Sequence, residues 1–164
     1  MTAGPIGLGL RPATAADEPL LFEVYAGSRA AELEQVPWTA EQKRAFLAQQ
    51  HRAQITSYRQ RHPSAQFLVI ELDGAGIGRL FRVHFDSGEI RVLDIGLLPD
   101  HCGRGFGTVL LHGVLAEADA LGVVVSLHVE FWNPALRLYH RLGFVEAARD
   151  EVYLRMERPP AGVS

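Results

Sequence analysis

Residues 97–108 read Leu-Leu-Pro-Asp-His-Cys-Gly-Arg-Gly-Phe-Gly-Thr, a turn that joins an apolar strand-like run to a helical one. Gly103, Gly105 and Gly107 leave backbone N–H groups uncovered at a helix N-terminus, where the peptide dipole is positive. Such a place favours phosphate or pyrophosphate, and Arg104 adds a charged donor. Glycine also serves plain strand-to-helix turns, for the sake of its backbone angles. The residues after the turn constrain the topology. Leu110, Leu111, Val114, Leu115, Ala118 and Leu121 recur at helical spacing, Gly122 is placed as a C-cap, and Val123 to Val129 reads as a buried strand. Strand, helix and strand in that order require a right-handed crossover and local parallel pairing.

Two other phosphate loops fit this turn badly. A P-loop ends in Gly-Lys-Ser/Thr, and the turn has no lysine. The dinucleotide fingerprint wants G-x-G-x-x-G directly after the strand, whereas Pro99 to Cys102 intervene here.

Upstream, residues 14–62 read as helical. Thr14 with Asp17, and Thr39 with Gln42, have the spacing of capping boxes ahead of apolar stripes through Leu20, Leu21, Val24 and Tyr25, and through Phe46, Leu47, Ala53 and Tyr58. Pro37-Trp38 marks a corner, and Pro63 ends the second helix. Gln66 to Leu72, Ile77 to Phe85 and Glu89 to Leu98 read as three antiparallel neighbours joined at Asp73-Gly74 and Asp86-Ser87-Gly88. Asn133-Pro134 reads as an N-cap followed by proline at the first helical position, opening a short helix that ends at Gly143. Phe144 to Ala147 and Val152 to Met156 are two closing strands.

At 164 residues the chain suits one domain, over 1–158, with 159–164 as a tail. With 48% apolar residues it can fill a core, so wholesale disorder is excluded. Its formal charge of -3 offers no basic footprint, which argues against nucleic acid as a partner. The single cysteine makes no internal disulfide, and no Cys/His pair has zinc spacing, so no metal is expected. Met1 to Leu10 lacks the pattern of a signal peptide, and no run approaches the roughly 18 apolar residues of a membrane span. A cytoplasmic protein without a membrane partner is the expectation.

The turn and the segment after Leu127 together resemble the GNAT superfamily of acetyl-CoA-dependent N-acetyltransferases. The family signature Gln/Arg-x-x-Gly-x-Gly/Ala matches Cys102-Gly103-Arg104-Gly105-Phe106-Gly107, preceded by Leu97-Leu98-Pro99. A second element, an Asn and then Tyr in L-Y-x-x-L-G-F, matches Asn133, Leu138, Tyr139, Leu142, Gly143 and Phe144. The first signature position departs from the family: it is Cys102, which loses a side-chain donor. The resemblance covers residues 65–157, the cofactor-binding core, and puts the helices of 15–62 on the substrate side. It implies an α/β (α+β) fold: a mixed, mostly antiparallel central sheet with helices on both faces and splayed central strands.

The resemblance also implies a co-substrate and roles. Acetyl-CoA would lie between the ends of the strands at 89–98 and 123–129, its pantetheine arm on the backbone near Ile95 and Leu97. The amides from Gly103 to Thr108 would take its pyrophosphate, with Cys102, Arg104 and Phe106 in the same turn, and the Leu97 N–H would face the thioester oxygen. Asn133 would touch the cofactor arm. Tyr139, with a phenol of pKa about 10, would protonate the departing thiolate.

The base has two candidates. An amine of pKa about 10.4 is only some 0.04% neutral at pH 7, so removing its proton matters. His128 stands five residues before Asn133, where several family members carry a glutamate base, and imidazole titrates in the useful range. Asp94 interrupts the apolar run Val92-Leu93-Asp94-Ile95, and desolvation there would raise its pKa. The plainer readings are a sheet-face histidine that hydrogen-bonds a neighbour and an aspartate paired with an arginine. Arg91 cannot be a base, and Glu89 reads as a surface residue. Tyr25, Arg29 and Glu32 share one helical stripe and are candidates for the acceptor groove, whereas packing is the default for Trp38 and Trp132. The predicted reaction is direct acetyl transfer to a small-molecule or peptide amine. The rival readings are a non-catalytic acyl-CoA-binding domain and a site for another nucleotide; family members often pair, so a homodimer is one option for the assembly.

Overall fold

The computed structural model describes residues 7–162. Residues 1–6 and 163–164, which carry part of the absent-leader and tail readings, lie outside the described residues. In chain order the elements are β1 (Leu8–Pro12), α1 (Glu18–Arg29), α2 (Ala40–Arg61), β2 (Gln66–Leu72), β3 (Ala75–Phe85), β4 (Glu89–Leu97), α3 (Phe106–Leu121), β5 (Val124–Glu130), α4 (Leu136–Arg141), β6 (Val145–Arg149) and β7 (Tyr153–Arg158). The seven strands form one sheet in the order β1-β2-β3-β4-β5-β7-β6. β4 and β5 pair in parallel, while β1 with β2, β5 with β7, and β6 with β7 pair antiparallel. The mixed α/β class is therefore as expected. No helix among the described residues is long and apolar enough to cross a membrane.

Local chemistry sets the element ends. Thr39 accepts from the Gln42 N–H at 3.1 Å while Gln42 accepts from the Thr39 N–H at 2.9 Å, so the box opening α2 is closed from both sides. Asp73 and Gly74 both have positive φ, 53° and 84°, the backbone of a two-residue hairpin turn between β2 and β3. β1 is an element that sequence reading missed. Arg11 holds it in place, with two nitrogens on Asp17 at 2.8 Å each and a third on Glu71 at 2.7 Å.

The chain divides into two compact units. The first holds residues 82–93 and 105–162. Here α3 buries Phe106, Leu110, Leu111, Val114, Leu115 and Ala118, and β5 buries Val125, Leu127 and Val129. Each of these side chains except Ala118 contributes about 1.5–3 kcal/mol relative to its exposed state. The surface assignment of Glu89 is corrected in this unit. Its carboxylate accepts from Ser126 Oγ and from Arg91 Nη2 at 2.9 Å, with Arg155 Nη2 at 3.4 Å. Burial alone would raise that carboxyl, but the Ser126 hydroxyl and the two arginines outweigh it and hold it below the ordinary range. The N-cap reading of Asn133 is also corrected: Ala135 caps α4, so Pro134 is not its first residue. Asn133 Oδ1 instead accepts from the Ala135 N–H at 2.8 Å, a side-chain turn that delays the helix.

The second unit holds residues 7–81 and 94–104. Tyr25, Leu33 and Leu47 form its helical core with Phe22, Ala26, Val36 and Phe46 around them. At Gly78 the strands approach closely: a Cβ there would lie 2.4 Å from the Gly96 carbonyl oxygen and 2.8 Å from Leu97 Cδ2. Only glycine fits, so β3 braces the outer end of β4.

Candidate active site

The candidate residues fall into one set in each unit. In the second unit, Asp94 through Leu98 are half-buried without the in-and-out alternation of an ordinary strand. The pairs between β4 and β5 run from Glu89 with Val124 to Val92 with Leu127, while β4 continues to Leu97. Ile95 and Leu97 lie on that continuation. Pro99 to His101 form a single 3-10 turn, closed by the Cys102 N–H on the Pro99 carbonyl at 3.2 Å. Cys102 Sγ lies 3.6 Å from the carbonyl oxygens of Leu97 and Leu98, so its side chain folds back onto the strand end. Gly103 follows with φ 74°, and residues 102–105 are exposed.

In the first unit, Gly105 is the N-cap of α3 with φ 84°, and its carbonyl accepts from the Val109 N–H at 3.1 Å. No side chain caps this end, and the first turn carries no acid. A helix of this length normally meets its orphan amides with such groups. Phe106 is buried and anchors the turn, whereas Cβ atoms at Gly103, Gly105 or Gly107 would meet nothing within 4 Å. Open amides at an uncapped positive pole are what an anion requires.

The remaining candidates in this unit sit on β5 and after it. His128 is exposed on β5 opposite Arg155. Nearby, the Tyr153 and Val152 N–H groups donate to Asp150 at 2.7 and 2.8 Å and hold its carboxyl below the usual range. Asn133 donates to Glu130 Oε2 at 2.9 Å. Tyr139 lies on α4 with its ring edge-on to Phe144, centroids 5.7 Å apart. Trp132, expected to pack, is 61% exposed with its ring edge-on to Phe131, and Trp38 is also exposed.

Asp94 has the arginine partner considered for it. Arg79 Nε donates to Asp94 Oδ2 at 2.6 Å and Arg79 Nη2 to Gln54 Oε1 at 2.7 Å. Tyr25, a groove candidate, is a buried ring, and the Arg29 guanidinium stacks over it at 5.3 Å while pairing with Glu32 at 3.2 Å. Sequence reading missed His51 and Arg79, both buried. Their signal is a polar residue placed where its neighbours' period predicts an apolar one.

His51 carries a pH dependence. Burial pushes its imidazole down to about 4, and the Arg79 charge adds to the effect. The fold therefore prefers the neutral ring, and an unfolded histidine protonates first, near 6.5. Above that pH both states are neutral and nothing is lost. As pH falls from about 6.5 towards about 4, stability drops, by about 2 kcal/mol at pH 5. Urea unfolding between pH 7.5 and 4.5 should show this slope in the native protein and a flatter one in His51→Leu; equal slopes would remove His51 as its source.

The comparisons with known proteins fit this geometry. The family model described as Acetyltransferase (GNAT) family matches residues 28–144. The chain belongs to that family. It is 34% identical over 127 residues to a mycothiol acetyltransferase of Clavibacter michiganensis, an alignment covering 72% of this chain and 42% of the relative. A mycothiol acetyltransferase of Thermomonospora curvata is 36% identical over 148 residues, covering 88% and 45%. The chain thus spans less than half the length of these curated relatives. Its fold matches the PaiA N-acetyltransferase of Thermoplasma acidophilum, solved with coenzyme A, at a TM-score of 0.68 and 18% identity, covering 94% of this chain and 99% of that one.

Proposed function

We propose that this chain transfers an acetyl group from acetyl-CoA to a primary amine by direct attack in a ternary complex. The observation that carries the reading is the α3 N-terminus, with Gly105 as cap and neither a capping side chain nor an acid in its first turn. Acetyl-CoA supplies an activated acetyl carbonyl and a thiol leaving group. The amides from Gly103 to Thr108, with Arg104 beside them, bind its diphosphate. Ile95 and Leu97 offer backbone groups to the pantetheine arm, and the Leu97 N–H faces the thioester oxygen as charge develops there. Cys102 offers the diphosphate no donor, since its N–H is bound to the Pro99 carbonyl and its thiol is turned to the strand carbonyls, so it serves the site by shaping the turn.

The amine nitrogen forms the amide bond as the carbon–sulfur bond breaks. The ammonium gives one proton to His128 or Asp94, directly or through one water, which frees the lone pair; a second proton leaves the nitrogen for solvent as the amide forms, and Tyr139 gives one to the CoA sulfur. Asn133 orients the cofactor arm. The relatives' name makes the acceptor of a mycothiol acetyltransferase the first amine to test, ahead of spermidine and a peptide with a free N-terminus. Because acetyl-CoA is an intracellular metabolite, we place the reaction in the cytoplasm.

The test is thiol release from acetyl-CoA with each of those amines in turn. Release that depends on one of them supports the reading. CoA binding by calorimetry with no amine-dependent release overturns it in favour of a binding domain, and displacement of CoA by ATP or NAD would point to a different phosphate ligand.

A further inference from the structure

Arg79 is the most completely buried charged residue among those described, at 1% exposure, and its place in the second unit is unusually well fixed. Its guanidinium carbon lies 4.5 Å from the Phe81 ring centroid and 5.5 Å from that of Tyr25. Nη2 is tied to Gln54 on α2, and Nε to Asp94 on β4. Nη1 is buried without a hydrogen-bond partner, as is Nε2 of His51, whose ring packs on Tyr25 at 5.4 Å. A fold selected for stability alone has little use for this arrangement. Replacing a buried ion pair with well-packed apolar groups is commonly neutral or stabilising, and here even the hydrogen bonds are incomplete.

What the arrangement does provide is direction. Asp94 keeps 29% of its side-chain surface open while Arg79 keeps 2%. The bond occupies Oδ2, so one oxygen is anchored from inside the protein and the carboxylate still reaches the surface. An anchored carboxylate that is part open suits a cationic ligand, because its orientation is set before the ligand arrives. We propose that Arg79 is a positioning residue for acetyl transfer: through Oδ2 it holds the Asp94 carboxylate in the orientation that receives the ammonium group of the acceptor. This rests on the acetyl-transfer reading and assigns Asp94 to acceptor binding within it. Gln54 and the rings of Tyr25 and Phe81 act one step further back, by fixing the guanidinium plane.

The test uses the full chain, the same panel of amines and the variants Asp94→Asn, Arg79→Met, Arg79→Lys and the double variant Asp94→Asn with Arg79→Met. Each single variant should raise the acceptor KM at least tenfold and leave the acetyl-CoA KM within about twofold. The double variant should be no worse than Asp94→Asn, because both changes remove one function. Arg79→Lys should not restore the acceptor KM, since an ammonium lacks the planar fork that binds Asp94 and Gln54 together. An Arg79→Met protein that melts like the native one with an unchanged acceptor KM overturns the proposal, and so do effects that simply add in the double variant. If Arg79→Met does not fold, nitrogen NMR of the native protein decides. The Arg79 Nε–H signal should move in Asp94→Asn, and should move when spermidine is titrated into the CoA-bound protein but not when CoA is added alone. A signal still in both overturns the positioning role. A signal that moves in protein that acetylates none of the panel supports the Arg79–Asp94 assignment and places the failure in the acetyl-transfer reading.

Discussion

Gly107→Asp should weaken CoA binding at least a hundredfold while leaving the melting temperature unchanged or raised. The two halves of this result have separate causes. Gly107 is the second residue of α3, and a Cβ there meets nothing within 4 Å, so the fold has room for the side chain. An acid in the first turn complements the helix dipole and replaces glycine in a helical position, both stabilising by up to about 1 kcal/mol. For a bound diphosphate the same carboxylate is hostile. At about 5 Å and an effective dielectric of about 20, each pair of like charges costs about 3 kcal/mol, and a hundredfold loss needs only about 2.7 kcal/mol. Gly107→Ala is the control: it should stabilise slightly and change the CoA Kd by no more than a few-fold. Calorimetry with CoA and thermal melts measure all of this. An unchanged Kd in Gly107→Asp would put the diphosphate elsewhere.

The contrast between that uncapped end and the rest of the fold shows what the amino-acid order could reveal. β2 and the Thr39–Gln42 box were legible because each is written in adjacent residues. β2 is a run of strand formers, and the box is a hydroxyl and an amide three positions apart. The glycine turn was legible for the same reason. β1 was not, because Leu-Gly-Leu-Arg-Pro has weak strand propensity and is held by Arg11 reaching Asp17 and the distant Glu71. Glu89 looked like a surface acid because its partner Ser126 lies 37 residues away on the strand it pairs with. At Asp94 the interruption of an apolar strand was visible and an arginine partner was foreseen, but nothing local indicates which arginine. The answer, Arg79, depends on the register between β3 and β4, and its burial depends on α2 supplying Gln54 and His51. Sequence spacing therefore located the glycine turn and the start of α3 well and the side-chain pairings around them poorly, since the former are local and the latter are set by packing.

Tyr139→Phe should lower kcat by about a hundredfold or more and leave the CoA Kd nearly unchanged. The ring of Tyr139 packs edge-on against Phe144, whose own side chain is 1% exposed, so phenylalanine keeps the packing that orders α4 and removes only the hydroxyl. Loss of CoA binding would then signal a structural role rather than a chemical one. The magnitude follows from general acid catalysis, which supplies about 10²- to 10⁴-fold when the donor meets a charge present only as the bond breaks. A thiolate is a fair leaving group without help, since a free thiol has a pKa of about 8.5, and that puts the expected loss at the lower end of this range. The defect should therefore depend on the leaving group. An acetyl thioester with a more acidic thiol needs its proton less, so replacing acetyl-CoA by acetyl-thiophenol derivatives should narrow the gap between native and Tyr139→Phe. If the gap is the same for every thiol, Tyr139 does not protonate sulfur, and a fall in kcat would have to come from orientation of the acetyl group instead.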